Sequence, residues 1–262
     1  MFSRYFRFQR RGCAFARKYC LPWLVLVLAA CQPAINTSTL PAPQTWRVQV
    51  TPALRWLGPV MNACTRQIPG IALLYNEETA PALDPHKADF TFSLEPASSA
   101  GYTALLGQVG MAFVVNPANP VNQLDQAGLG AIFSGKALTW ADLPPTDCPS
   151  CASSPASAIK LYVYAPGDDL GQVFGDLFPS LSQKAPSALL APDPESVRQA
   201  VAADPQAIGY IPAPLVDSSV RMVQIIDLQT EQMLFPLILS MTAEPAGEKR
   251  SWVFCVQQNL PK

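Results

Sequence analysis

The chain has 262 residues, with 18 Lys and Arg against 19 Asp and Glu, a formal net charge of −1. That balance is uneven along the chain: Arg4, Arg7, Arg10, Arg11, Arg17 and Lys18 all fall in the first thirty residues, which hold no acid. The remainder carries 12 basic and 19 acidic residues, a net charge of −7, and so offers no electrostatic footprint for nucleic acid or an anionic membrane surface.

Behind the basic start, Leu21 to Ala30 (LPWLVLVLAA) is apolar. A stretch of this length is too short for a spanning helix, which needs about 20 residues, and has the length of a secretory hydrophobic region. It ends in Leu28-Ala29-Ala30-Cys31, which resembles the bacterial lipobox. The resemblance implies diacylglycerol on the Cys31 thiol and cleavage before Cys31; an ordinary secretory signal or a short anchor are the alternatives. Residues 1–30 are thus expected to be a lipoprotein signal peptide. The expected location is the cell membrane, lipid-anchored and facing the periplasm or cell exterior. Residues 31–45, Cys31 and an uncharged Pro-, Ser- and Thr-rich run, read as a lipidated flexible tether. Residues 46–262 suffice for one large domain or two lobes.

Strands and helices alternate beyond the tether. The pattern predicts a strand over Trp46 to Val50, and a helix over Leu54 to Gln67 with Leu54, Leu57, Met61 and Cys64 along one stripe. Further strands are expected at Ile71 to Tyr75, Asp89 to Ser93, Gln108 to Val115, Ile159 to Tyr164, Ile208 to Ile211 and Arg221 to Ile226. Helices are expected at Leu124 to Phe133, Leu170 to Phe178, Pro194 to Ala203, where Pro sits at its favoured first position, and Arg250 to Gln258. The alternation implies an α/β fold with mostly parallel sheets.

After Cys31 four cysteines remain, an even number suited to an oxidising compartment. Cys148-Pro-Ser-Cys151 lies among Pro144, Pro145 and Ser153, a loop composition, and reads as a local disulfide. Free or redox-active thiols are the alternative. A zinc site would need further ligands, and the single histidine, His86, is remote in sequence. Cys64 and Cys255 could form a second bridge joining the first and last helices.

Four segments resemble the phosphate-type periplasmic substrate-binding proteins of ABC transporters. Gly110 to Leu143 carries Asn116-Pro117, Asn119-Pro120, Ile132 to Lys136 (IFSGK) and Trp140 to Leu143 (WADL). Val197 to Asp217 contains Asp204-Pro205 and an Ala-Ile-Gly-Tyr strand. Phe235-Pro236-Leu237 through Glu244 to Gly247 is similar to the family's closing segment, and Ala88 to Ser93 (ADFTFS) to a short strand ending at the ligand. The resemblance implies a two-lobed fold of the type II periplasmic-binding-protein class with a two-strand hinge. Lobe 1 would be about 46–113 and 213–262, and lobe 2 about 114–212. The crossovers would lie near Phe113 to Asn116 and Tyr210 to Pro214. It also implies a small-molecule solute, phosphate or another oxyanion, and a membrane permease as partners of a monomer. No cofactor or metal is implied. Read for mechanics alone, the Asn-Pro pairs form turns and Ser134-Gly135-Lys136 a helix C-cap.

Three loops are expected to line the cleft. Thr51-Pro52-Ala53-Leu54 opens the first helix, with Thr51 as N-cap, hydroxyl donor, or both. Phe92-Ser93 ends the cleft-facing strand, followed by Leu94 where the family has an aspartate. Gly167-Asp168-Asp169-Leu170 stands where the family has Gly-Ser-Gly-Thr, so both hydroxyl positions are replaced, and Val163, Tyr164 and Ala165 occupy the stretch that carries an arginine. A carboxylate at a helix N-terminus satisfies the donors that would bind phosphate. The cleft therefore holds a cationic or neutral polar solute, holds an anion through other donors, or has become a non-transport interaction or sensory module. An enzyme is the reading of a different class: there is no Gly-x-Ser-x-Gly elbow, His86 lies in a turn-like Asp84-Pro85-His86-Lys87, and a thiol oxidoreductase would rest on Cys148 and Cys151.

Overall fold

The computed structural model describes residues 43–145, 151, 158–165, 167–179, 185–229 and 233–261. These belong to one compact unit, Pro41–Lys262. The basic start, the apolar stretch and Cys31 lie outside the described residues.

Alternation in QTWRVQV turns Trp46, Val48 and Val50 inward and makes β1 (Gln44–Val50). It pairs in parallel with β2 (Ile71–Glu77) and β3 (Phe90–Ser93). The organising element is β4 (Tyr102–Val115), fourteen residues long. Over Tyr102 to Gly110 it pairs antiparallel with β11 (Leu234–Met241), and over Met111 to Val115 with β8 (Ala207–Pro212). On the β8 side, β6 (Lys160–Tyr164) and β7 (Leu189–Ala191) add in parallel. The sheet order is β2-β1-β3-β11-β4-β8-β6-β7, with β9 (Arg221–Met222) also on β4. A two-stranded sheet joins β5 (Gln123–Leu124) to β10 (Gln224–Ile225). Five of these nine pairings are parallel and four antiparallel. The fold is the expected α/β class, built as one sheet whose partners change along β4.

Each half of the sheet has its own aromatic core. In the first, Trp46 sits 5.5 Å from Phe90 and 6.0 Å from Trp252 of α5 (Gly247–Gln258). Trp252 Nε1 donates to Thr65 Oγ1 at 2.9 Å, and Cys64 and Cys255 are disulfide-bonded, fixing α5 to α1 (Gly58–Thr65). In the second half, Phe113 of β4 meets Phe133 at the end of α2 (Gln126–Phe133) and Phe174 of α3 (Asp169–Leu177). Phe174 stacks on Tyr210 of β8 at 4.4 Å and on Phe133 at 4.8 Å. On β8, Gly209 lets α4 (Pro194–Ala203) pack closely, because a Cβ there would meet Val197 Cγ1 at 2.5 Å.

The Asn-Pro pairs are mechanical. Asn116 Nδ2 donates to Val201 O and Ala202 O at the end of α4, and Asn119 Nδ2 donates to Pro205 O. Their Oδ1 atoms accept from Ala118 and Val121 N–H, closing the turns. Buried amides thus tie the strand exit to the carbonyls that α4 leaves open.

Several elements differ from the expectations. Strand β1 begins at Gln44, two residues before the expected start at Trp46. The first helix is not continuous: Pro52–Leu57 is a 3-10 turn and α1 starts only at Gly58, because Pro52 and Pro59 each favour a fresh N-terminus. Arg221 to Ile226 is broken at Val223, whose N–H bonds Phe113 O, so β9 pairs with β4 and β10 with β5. Strands β7 and β11 stand where no strand is expected. Among the described residues no helix is long and apolar enough to cross a membrane.

Candidate functional site

Three chain segments converge where the halves of the sheet meet. From the first half comes Thr51, in extended backbone before the Pro52–Leu57 turn. Its hydroxyl makes no cap hydrogen bond, so the capping role expected for it is absent; Thr51 is fully buried, with its hydroxyl against the Asp169 carboxyl. The reason is local: Pro52 at N1 brings no N–H, and Leu54 N already donates to the Thr51 carbonyl. Ser93, at the end of β3, is also buried and donates its hydroxyl to Glu95 O.

The second half contributes the start of α3. Gly167, with φ of +92°, makes the turn that a side chain would strain. Asp168 is the N-cap: its Oδ1 accepts from Leu170 N at 3.0 Å and Gly171 N at 3.3 Å. Asp169 follows, 1% exposed, with Oδ1 accepting from Leu170 N at 2.9 Å and Oδ2 without a partner. Burial pushes its pKa up to about 6. The Thr51 hydroxyl, close enough to favour the charged form, works against that shift, and the Asp168 carboxylate adds to it. The free end of α3, normally a place for an anion, is therefore occupied by the chain's own carboxylates.

An ion network bridges the halves. Arg55 of the 3-10 turn forks onto Glu77 of β2 at 2.6 and 2.7 Å and reaches Asp193, the N-cap of α4, at 3.3 Å. Burial pushes the Asp193 carboxyl up, but the Ser196 N–H and Arg55 hold it below the usual range. Beside Ser93, a cavity of about 220 Å³ opens between the Ala80–Ser98 region and Gln172 of α3. That is room for a small solute, given about 30 Å³ per liquid water. A larger groove of about 500 Å³ lies elsewhere, between β4 and the Leu260-Pro261 tail.

Thr51, Ser93, Gly167, Asp168 and Asp169 thus lie at the junction. The side chains of Ala53, Leu54, Phe92 and Leu170, expected to line the cleft, are in the hydrophobic core, at 0% exposure. Phe92 lies on β3, where it points to the face opposite Ser93, while Ala53, Leu54 and Leu170 are the buried residues of the Pro52–Leu57 turn and of α3. Pro52 is half-buried. Cys151 is buried and disulfide-bonded, whereas Cys148 lies outside the described residues. His86 is exposed in a turn. No metal-ligand cluster occurs among the described residues. The Arg55–Glu77–Asp193 network had no signature in the sequence, because its members come from three separate elements.

No protein-family model matches this sequence, and no curated protein matches it. Solved structures do. A putative phosphate ABC transporter substrate-binding protein from Clostridium perfringens, with bound phosphate, superposes with a TM-score of 0.65 at 15% identity, over 81% of this chain and 93% of that one. The fold is that of the phosphate-type periplasmic binding proteins. An ABC-type phosphate transport receptor from Vibrio cholerae shares the binding-protein fold with a TM-score of 0.54 at 18% identity, over 82% and 93% of the two chains. So does the regulatory domain of OxyR2 from Vibrio vulnificus, with a TM-score of 0.55 at 14% identity, over 84% and 97%. The binding-protein fold is thus shared here by transport receptors and a regulatory domain.

Proposed function

We propose that this chain is a membrane-tethered, extracytoplasmic solute-binding lipoprotein of an ABC importer. Its lobes would be about 46–113 with 213–262, and about 114–212. It would be a monomer anchored through lipid on Cys31 and handing a small solute to a permease. The observation that carries the reading is the meeting of Thr51 from one half of the sheet with Asp169 from the other, both buried polar side chains where the two cores join. Such groups at the junction of two cores are suited to gripping a ligand.

The same atoms argue against phosphate. The Leu170 and Gly171 N–H groups are taken by Asp168 and Asp169, and a phosphate there would face two carboxylates. Two like charges about 4 Å apart repel by about 4 kcal/mol at an effective dielectric of 20. A non-transport sensory or interaction lipoprotein is the second reading, favoured by the Arg55–Asp193 pair, which ties the halves together.

The test is a thermal-shift screen of the full-length protein in detergent against phosphate, sulfate, amines and short peptides. A true solute at 100 times its Kd stabilises the folded state by about 2.7 kcal/mol. A saturable rise with one solute and none with phosphate is expected. A rise with no solute would refute the binding role in favour of the second reading. Incorporation of labelled palmitate, abolished by Cys31→Ser, tests the anchor separately.

A further inference from the structure

The two ends of the main sheet are unequal. At one end β7 has only three residues, Leu189–Ala191, and so short an edge strand offers little to a neighbour. At the other end β2 has seven, Ile71–Glu77, in unbroken parallel register with β1 and with no strand on its far side. Proteins blunt such an edge with Pro, Lys, a bulge or a covering element. The β2 sequence, IALLYNE, has no Pro or Lys and its register no shift, and Ala72, Leu74, Tyr75, Asn76 and Glu77 are exposed.

We propose that this edge docks a partner polypeptide: an extended segment that adds to β2 as a further strand, with apolar side chains on one face and acidic ones on the other. Docking there is independent of what the cleft holds.

The backbone fixes the kind of partner. Gly70 O accepts from Gln44 N, and Glu78 N donates to Val50 O, so the even-numbered residues of this stretch turn their N–H and C=O toward β1. Alternation then turns those of Ile71, Leu73, Tyr75 and Glu77 outward, a row of donors and acceptors at strand spacing. Another extended chain matches such a row, each main-chain bond contributing about 1 kcal/mol.

The side chains fix its pattern. Odd-numbered side chains lie on the α1 face, where Tyr75 Oη donates to Asn62 Oδ1 at 3.2 Å. A cavity of about 360 Å³ beside Tyr75, Pro59 and Met61 leaves room there for apolar side chains. Even-numbered side chains lie on the other face, beside a cavity of about 380 Å³ that Leu74, Arg47 and Lys87 line. Arg47 is opposite Leu74 in the ladder, is exposed, and makes none of the ion pairs found among the described residues. Lys87 is 76% exposed, 3.4 Å from Asp84. Glu78, the acid at this cavity, lies past the end of β2 and accepts from Asn76 Nδ2 at 2.7 Å. A long acidic side chain on the added strand would reach over Leu74 toward Arg47. A second copy of this chain would instead bring its own Arg47 and Lys87 to the same face, like charge against like, so the partner is a different polypeptide.

The experiment is fluorescence anisotropy with the full-length protein in detergent. The probe is a labelled, end-blocked peptide as long as β2 that alternates Glu and Val; its control alternates Lys and Val. Saturable binding of the acidic peptide is expected, with the basic one about tenfold weaker or more. Methylating one alternate set of peptide amides should weaken binding about tenfold or more, because those N–H groups face β2, whereas methylating the other set, which faces solvent, should be tolerated. Arg47→Glu should weaken the acidic peptide about fivefold and strengthen the basic one. Cooperative melting of the variant guards against misfolding, and light scattering over a range of concentrations should show a monomer. Equal effects of the two methylation patterns, a preference for the basic peptide, or binding of neither would overturn the proposal. So would a dimer that Leu74→Lys dissolves, which would make a second copy the occupant.

Discussion

The two sides of the junction meet the same problem, a helical start facing a buried space, in different ways. On the first side, Thr51 leads into a proline-started 3-10 turn, and its hydroxyl is neutral, buried and turned to Asp169. On the second, α3 begins with two carboxylates that consume its open N–H groups, and one of them remains buried with an oxygen to spare. The cores behind them differ as well. The first is a Trp-Phe cluster stapled by Cys64–Cys255, whereas the second is a Phe-Tyr cluster centred on Phe174, which packs against Phe113, Phe133, Phe178 and Tyr210. The contrast teaches that the second side supplies the charge and bears its energetic cost, while the first supplies a neutral surface held in place.

The contrast can be broken at its foundation by Phe174→Ala. Removing a fully buried ring should cost about 3–5 kcal/mol, read as a lowered midpoint in denaturant melts, with loss of any solute binding as α3 loosens.

Asp169→Asn should act in the opposite direction. A carboxyl whose folded pKa is raised opposes folding once it is charged. The penalty is absent below the unfolded value near 3.8, grows as pH rises toward about 6, and is complete above it. The variant should therefore be more stable than the parent at pH 7–8 by up to about 3 kcal/mol and no more stable at pH 3.5. An equal effect at both pH values would show that Asp169 is not a buried charge.

Asp168→Ala removes a cap and should cost about 1 kcal/mol, while freeing the Gly171 N–H and leaving the Leu170 N–H to Asp169 alone. Weak sulfate binding that the parent lacks would show that the carboxylate had been blocking the anion position. The smallest effect is expected at Arg55→Ala. The guanidinium is half-exposed, so its pairs contribute about 1 kcal/mol or less, and the loss should shrink further in high salt.

Legibility followed locality. Helix α4 was readable to the residue, because Asp193 caps it, Pro194 starts it and Val197 and Val201 set its buried stripe. The α1–α5 disulfide was readable as a pairing of two cysteines on helices at the chain's two ends. Strand β11 was not. Its Pro236 argues against a strand between two neighbours, yet β3 reaches β11 only over Ile238 to Ser240, so Pro236 faces β4 alone and its missing N–H leaves no gap on the other side. In the site, the replacement of hydroxyls by Asp168 and Leu170 was visible in the sequence, and so was the capping that follows. Which of two adjacent aspartates would be buried was not, since that depends on what packs over α3.

By itself, the sequence determined most of the alternation of strands and helices, the aspartate cap of α3, the turn-forming Asn-Pro pairs and the acidity of the chain beyond its basic start. These depend on neighbours within a few residues, where periodicity and capping act. Only the tertiary structure decided that β4 would serve two partners, that Leu54, Phe92 and Leu170 would go to the core, and that Thr51 would face Asp169. It alone brought Arg55 to Asp193, 138 residues away. Burial and charge pairing depend on distance in space, and a chain that folds one sheet through two cores sets those distances only when both cores are packed.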